Sequence, residues 1–127
     1  MIKRIEGVLL SSAQSRKLAK FYEKLGVKIG QEWEMGDKGE PFFEMKLSSG
    51  SNFYIGPHSK VKGKTKEPHR LMLNFEVDDI KSAVKKLKSL DVRIVADVYH
   101  MQDYGWVATF ADPDGNYFQL VQTQASK

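Results

Sequence analysis

The chain alternates between two periodicities. Leu71-Met72-Leu73-Asn74-Phe75-Glu76-Val77 sends apolar and mostly polar side chains to opposite faces, which predicts a half-buried strand, and Ile5-Glu6-Gly7-Val8-Leu9-Leu10 reads as another. After each, the spacing lengthens to that of a helix. Leu18, Phe21, Tyr22 and Leu25 share one face of a first helix, capped near Ser12 and stopped at Gly26. Ile80, Ala83, Val84 and Leu87 share one face of a second, which starts at Asp78-Asp79 and ends near Asp91. Three strands follow each helix, at about 27–34, 41–48 and 51–56, then at about 92–99, 105–111 and 116–122. The last hairpins turn at Ser49-Gly50 and at Asp112-Pro113-Asp114-Gly115.

Residues repeat along with the elements. At an offset of 65, Leu25-Gly26-Val27-Lys28-Ile29 falls on Leu90-Asp91-Val92-Arg93-Ile94. The same offset lays Ser49-Gly50-Ser51-Asn52-Phe53-Tyr54-Ile55 on Asp114-Gly115-Asn116-Tyr117-Phe118-Gln119-Leu120, and Val8 and Leu10 on Leu73 and Phe75. Three matches in one register predict a duplicated unit. The expected fold is α+β: tandem βαβββ modules forming a curved mixed sheet around a cleft, in a single domain. Module one covers about 1–57, a basic linker about 58–69 and module two about 70–127.

Composition narrows the chemistry. The 127 residues suit one domain, and the absence of cysteine excludes disulfides, thiolate metal sites and a cysteine nucleophile. Val8-Leu9-Leu10 is far too short for a signal peptide or a membrane span, so a cytoplasmic protein with no membrane partner is expected. The net charge of +4 belongs to one segment: Lys60, Lys62, Lys64, Lys66 and Arg70 stand against the single Glu67. With Pro57, Gly63 and Pro68 it reads as a solvated connector. No aromatic residue interleaves the lysines, and no phosphate loop, dinucleotide fingerprint or DNA-reading helix is present, so nucleic acid is not an expected partner.

Strand parity sorts the side chains. Val8, Leu10, Phe53, Ile55, Leu71, Leu73, Phe75, Phe118 and Leu120 are expected beneath the helices. The other face then holds Gly7, Leu9, Asn52, Tyr54, Met72, Asn74, Glu76, Tyr117, Gln119 and Val121, and two such curved sheets would share a groove lined by that set. Trp33 and Trp106 are expected near the rims.

The twice-repeated order, with Phe21-Tyr22-Glu23-Lys24-Leu25-Gly26 closing the first helix, resembles the vicinal oxygen chelate superfamily of glyoxalase I, bleomycin-resistance proteins and extradiol dioxygenases. Val77-Asp78-Asp79-Ile80 and Phe110-Ala111-Asp112-Pro113-Asp114-Gly115-Asn116-Tyr117-Phe118-Gln119-Leu120 strengthen the match, which spans essentially the whole chain. The resemblance implies, for the enzymes, a divalent metal held by His, Glu or Gln from the first and last strands of each module. Carried onto this chain, those positions are Gly7 and Met72, then Tyr54 (Ile55 if the register slips) and Gln119. Only Gln119 is a plausible ligand, whereas a catalytic metal needs at least three converging donors. No metal, no cofactor and no catalytic residue is therefore expected.

What remains is a binding surface. Tyr54, Tyr117, Met72, Trp33 and Trp106 offer aromatic and polarizable area, Asn52, Asn74 and Gln119 offer amides, and Glu76 shares their parity. The expected function is a metal-free small-molecule binding protein that sequesters a largely planar ligand, as bleomycin-resistance proteins do. One alternative is a metal-dependent lyase, isomerase or dioxygenase using Gln119, Glu76 and His100. Another is a module whose groove is filled by its own aromatic residues. The resemblance also implies a homodimer.

Overall fold

The offset of 65 is built into the backbone. In the computed structural model, which describes residues 1–34 and 40–124, helix α1 spans Ser15–Lys24 and helix α2 spans Ile80–Ser89, each boundary displaced by 65 positions. Strands β1 (Leu9–Ser11), β2 (Lys28–Trp33), β3 (Phe42–Lys46) and β4 (Asn52–Gly56) form one four-stranded sheet in the order β1-β4-β3-β2. Strands β5 (Leu73–Glu76), β6 (Arg93–Met101), β7 (Gly105–Ala111) and β8 (Tyr117–Thr123) form a second in the order β5-β8-β7-β6. In each, the first strand runs parallel to the last and the other pairs are antiparallel. The pairing also repeats: Leu9 faces Tyr54 as Asn74 faces Gln119, and Glu44 faces Tyr54 as Thr109 faces Gln119. The chain divides into two compact units, Met1–Gly63 and Lys64–Lys127.

Each helix buries an apolar stripe on its own sheet. In the first unit Leu18, Tyr22, Phe43, Met45, Phe53 and Ile55 are buried, and the Tyr22 and Phe53 rings meet edge to face at 5.5 Å. In the second, Ile80, Val84 and Leu87 cover Phe110, Phe118 and Leu120, each such side chain contributing about 1.5–3 kcal/mol by leaving water. The helices stop in matching ways. Gly26 takes φ +100° and its counterpart Asp91 takes φ +59°, the left-handed step that ends a helix and that Asp tolerates better than most residues.

The helix starts differ. Asp79 caps α2 as expected, accepting the N–H groups of Lys81 and Ser82. Ser12 does not cap α1. Its hydroxyl accepts the Gln14 N–H, and the helix begins at Ser15, whose buried hydroxyl donates to the Pro41 carbonyl at 2.7 Å. A long-range tie to the loop before β3 thus anchors the start of α1.

The two first strands are shorter than their apolar patterns. β1 begins at Leu9, although Tyr54 still donates to the Val8 carbonyl, and Ile5 is exposed. β5 begins at Leu73, and Leu71, expected in the core, is 60 % exposed because it precedes the last residue paired with β8. The lysines of the basic linker are exposed, as a solvated connector requires. Its second half is held to the last turn by Thr65 N–H donating to the Asp114 carbonyl. In that turn the buried Asp112 carboxylate accepts from the Asp114 and Asn116 backbone N–H groups and from the Asn116 amide.

Candidate functional site

Register divides each sheet into a helix-covered face and a helix-free face, and the helix-free faces collect most of the candidate residues. In the first unit β1, β4, β3 and β2 present Leu9, Tyr54, Asn52, Glu44, Phe42 and Trp33 there, since Leu10, Ile55, Phe53, Phe43 and Met45 occupy the other side. Tyr54, not Ile55, therefore holds the last-strand position. Its ring lies across Gly7, so closely that a Cβ on residue 7 would meet the Tyr54 ring at 2.6 Å. The Tyr54 hydroxyl donates to Glu6 at 2.6 Å, and the Trp33 ring stands 6.5 Å away. The bond to Glu6, aided by desolvation and by the negative fields of Glu6 and Glu44, holds the Tyr54 phenol above its ordinary pKa. Glu44 accepts the Gln31 N–H at 3.2 Å and the Asn52 amide at 3.5 Å.

In the second unit Asn74 and Glu76 on β5 stand level with Gln119 and Val121 on β8, and the Gln119 amide donates to the Thr109 hydroxyl at 3.0 Å. Tyr117 shares their face and meets the His69 ring edge-on at 4.8 Å. Met72 immediately precedes β5 and is half-buried. Asn74 and Glu76 are exposed at the sheet edge, while Val107, Thr109 and Val121 in the middle of this face are buried.

Trp106 does not join this set. It pairs with Gln122 and His100, and Gln122 is on the helix side, where its side-chain oxygen accepts the Ile80 N–H of α2. The His100 and Trp106 rings meet at 4.6 Å, tilted by 42°, and line a cavity of about 360 Å³ with Gly105, Gln122, Thr123 and Gln124. The same parity separates His100 from Glu76 and Gln119, so the three residues of the alternative metal site do not converge. Sequence parity missed Glu44 and Phe42 as members of the first face, though their alternation with Phe43 and Met45 carried the signal.

The donor set does not fit the divalent ion that the resemblance implies. Gly7 has no donor and its space is filled by Tyr54, whose proton is committed to Glu6. Met72 offers a thioether, and Gln119 a single amide oxygen, its nitrogen donating to Thr109, which is one weak donor where three are needed. Among the described residues no group of three His, Asp or Glu side chains is placed to hold a metal. No described helix is long and apolar enough to cross a membrane.

The model of the Glyoxalase/Bleomycin resistance protein/Dioxygenase superfamily matches residues 4–120. Among solved structures, a glyoxylase/bleomycin resistance protein/dioxygenase domain from Frankia sp. EAN1pec is 15% identical with TM-score 0.78, over 98% of this chain and 100% of that one. TnmS3, an antibiotic binding protein from Streptomyces sp. CB03234, is 18% identical with TM-score 0.74, over 97% and 98%. A variant of the fosfomycin resistance protein FosX from Listeria monocytogenes, complexed with Mn(II) and 1S,2S-dihydroxypropylphosphonic acid, is 15% identical with TM-score 0.75, over 99% and 97%. At these identities the likeness is one of fold. No curated protein matches the chain.

Proposed function

The chain belongs to the Glyoxalase/Bleomycin resistance protein/Dioxygenase superfamily, and from that premise we propose that it is a metal-free protein that binds and sequesters a largely planar small molecule. The observation that carries this reading is the phenol ring of Tyr54 lying over Gly7, two positions where the family's enzymes would place metal donors. A ring packed there replaces coordination chemistry with stacking area. Trp33 and Asn52 extend that surface in the first unit. Met72, Asn74, Glu76, Tyr117 and Gln119 supply a comparable mixture in the second: a thioether, amides, an aromatic ring and one carboxylate. Nothing in either set makes a nucleophile with an adjacent base and an orienting third group, which supports binding over catalysis. TnmS3, an antibiotic binding protein, has the same fold, which supports a small-molecule-binding role. We further propose a cytoplasmic homodimer, since superfamily members of this size commonly pair.

The test is a thermal-shift and fluorescence titration with planar probes of each charge: acridine, 9-aminoacridine and acridine-9-carboxylate. At least one is expected to raise the melting temperature saturably, by an amount equivalent to about 2.7 kcal/mol at a hundred times its Kd. Tyr54→Ala should weaken that binding about tenfold, the value of one lost stacking partner. No shift from any probe at millimolar concentration overturns the binding reading.

A further inference from the structure

The helix-free face of the first unit carries a charge pattern that its stacking area alone does not explain. Three rings stand on neighbouring strands: Trp33 on β2, Phe42 directly opposite it on β3, and Tyr54 on β4. Two carboxylates flank them. Glu44 is the cross-strand partner of Tyr54, and Glu6 accepts the Tyr54 hydroxyl proton.

Neither carboxylate has a cationic partner: among the described residues the ion pairs are Arg16–Glu32, Lys20–Glu23, Arg70–Glu67 and Lys88–Asp97. Arg16, the cation of the first pair, lies on the helix-covered side, over the Phe43 ring. Lys46 and Lys28 do share the face of Glu44. They are register partners one row further along the sheet, level with Asn52; the Lys46 methylenes run over Gly30 beside the Glu44 carboxylate, but Lys46 is exposed and forms no ion pair with it among the described residues.

Glu44 is instead half-buried and held in place from two sides, by the Gln31 N–H and the Asn52 amide. Gly30 permits that placement, because a Cβ there would meet the Glu44 carboxylate oxygen at 2.5 Å. The negative charge is thus fixed beside the aromatic faces before any ligand arrives.

We infer that the first unit selects a planar organic cation, such as a protonated heteroaromatic amine, over neutral and anionic molecules of the same shape; this rests on the binding function proposed above. A cation gains from the negative faces of Trp33, Phe42 and Tyr54 and from Glu44 without displacing any protein charge. A neutral isostere gains stacking alone. An anion meets two carboxylates and the same ring faces, all repulsive. The face is therefore ill suited to a phosphonate of the kind bound by FosX, which that protein holds together with Mn(II).

The acridine series separates the possibilities, because the ring is constant while the charge changes. At pH 8 and low salt, 9-aminoacridine (a cation) is expected to bind about tenfold more tightly than neutral acridine, with acridine-9-carboxylate weakest. The preference should shrink as salt is raised. Glu44→Gln keeps the shape and can still accept the Gln31 N–H. It should remove most of the preference for the cation while leaving the affinity for acridine within about twofold and the melting temperature nearly unchanged. Glu6→Gln provides a second, exposed removal of negative charge and should lower the preference in the same direction. Equal affinities for acridine and 9-aminoacridine, or a preference that survives both substitutions, would overturn the inference while leaving ligand binding intact. Binding of none of the three would remove the binding function itself.

Discussion

Phe118→Ala is expected to destabilise the second unit by about 3–5 kcal/mol. Phe118 is wholly buried on the helix-covered face of β8. Its ring stacks on Phe110 at 5.8 Å and meets Phe75 at 5.9 Å, so truncation opens a cavity and breaks two ring contacts at once. The backbone around it cannot close the gap, because β8 is paired on both sides with β5 and β7. Urea denaturation followed by far-ultraviolet circular dichroism would measure the loss. A change below about 1 kcal/mol would mean that this face is not the core of the unit.

The second large effect comes from a position with no side chain. Gly105 opens β7 with φ +144°, and a Cβ there would run into the Gln122 carbonyl oxygen and stand 2.8 Å from the Thr123 Cα. Both obstacles are backbone of β8, so no side-chain rotation can relieve them. Gly105→Ala should cost about 3 kcal/mol or more, combining an unfavourable dihedral with overpacking. Gly63→Ala is the natural control, since a Cβ there meets nothing within 4 Å, and it should change stability by less than about 0.5 kcal/mol. In a Trp33→Phe background the remaining indole, Trp106, adjoins Gly105. Its emission should therefore change in Gly105→Ala even where the protein stays folded. Similar melting temperatures for the two glycine variants would contradict the close approach of β7 and β8.

The duplicated architecture was legible because the residues that define it are local. Helix starts and stops, the Asp112-Pro113-Asp114-Gly115 turn and the alternation of Phe53, Ile55, Phe118 and Leu120 each follow from neighbouring positions. The offset of 65 then tied the two halves together. What was not legible depended on contacts distant in sequence. The start of α1 is anchored by Ser15 reaching Pro41, 26 residues away, and is not capped by the hydroxyl of Ser12. Leu71 looked like a core residue by alternation, but strand pairing ends before it. Trp106 was expected near the rim of the groove, yet β7 pairs Trp106 with Gln122 and turns it to the helix side.

The candidate site was legible in its list of residue types and less so in its arrangement. Gly7 and Tyr54 were recognised separately as poor metal donors. Their mutual dependence, with the ring occupying the glycine's space, is a packing relation that neither residue reveals alone. Glu44 was legible as a strand carboxylate but was not placed on this face. A lone strand carboxylate is ordinary, and only its fixed place among Trp33, Phe42 and Tyr54 gives it a role.

Elemental analysis of the freshly purified protein, with its melting temperature before and after chelator, tests the central claim most directly. The account predicts no stoichiometric divalent metal, an unchanged melting temperature after chelation, and no thermal shift on adding nickel, zinc, manganese or iron(II). A stoichiometric ion whose removal lowers the melting temperature would contradict it.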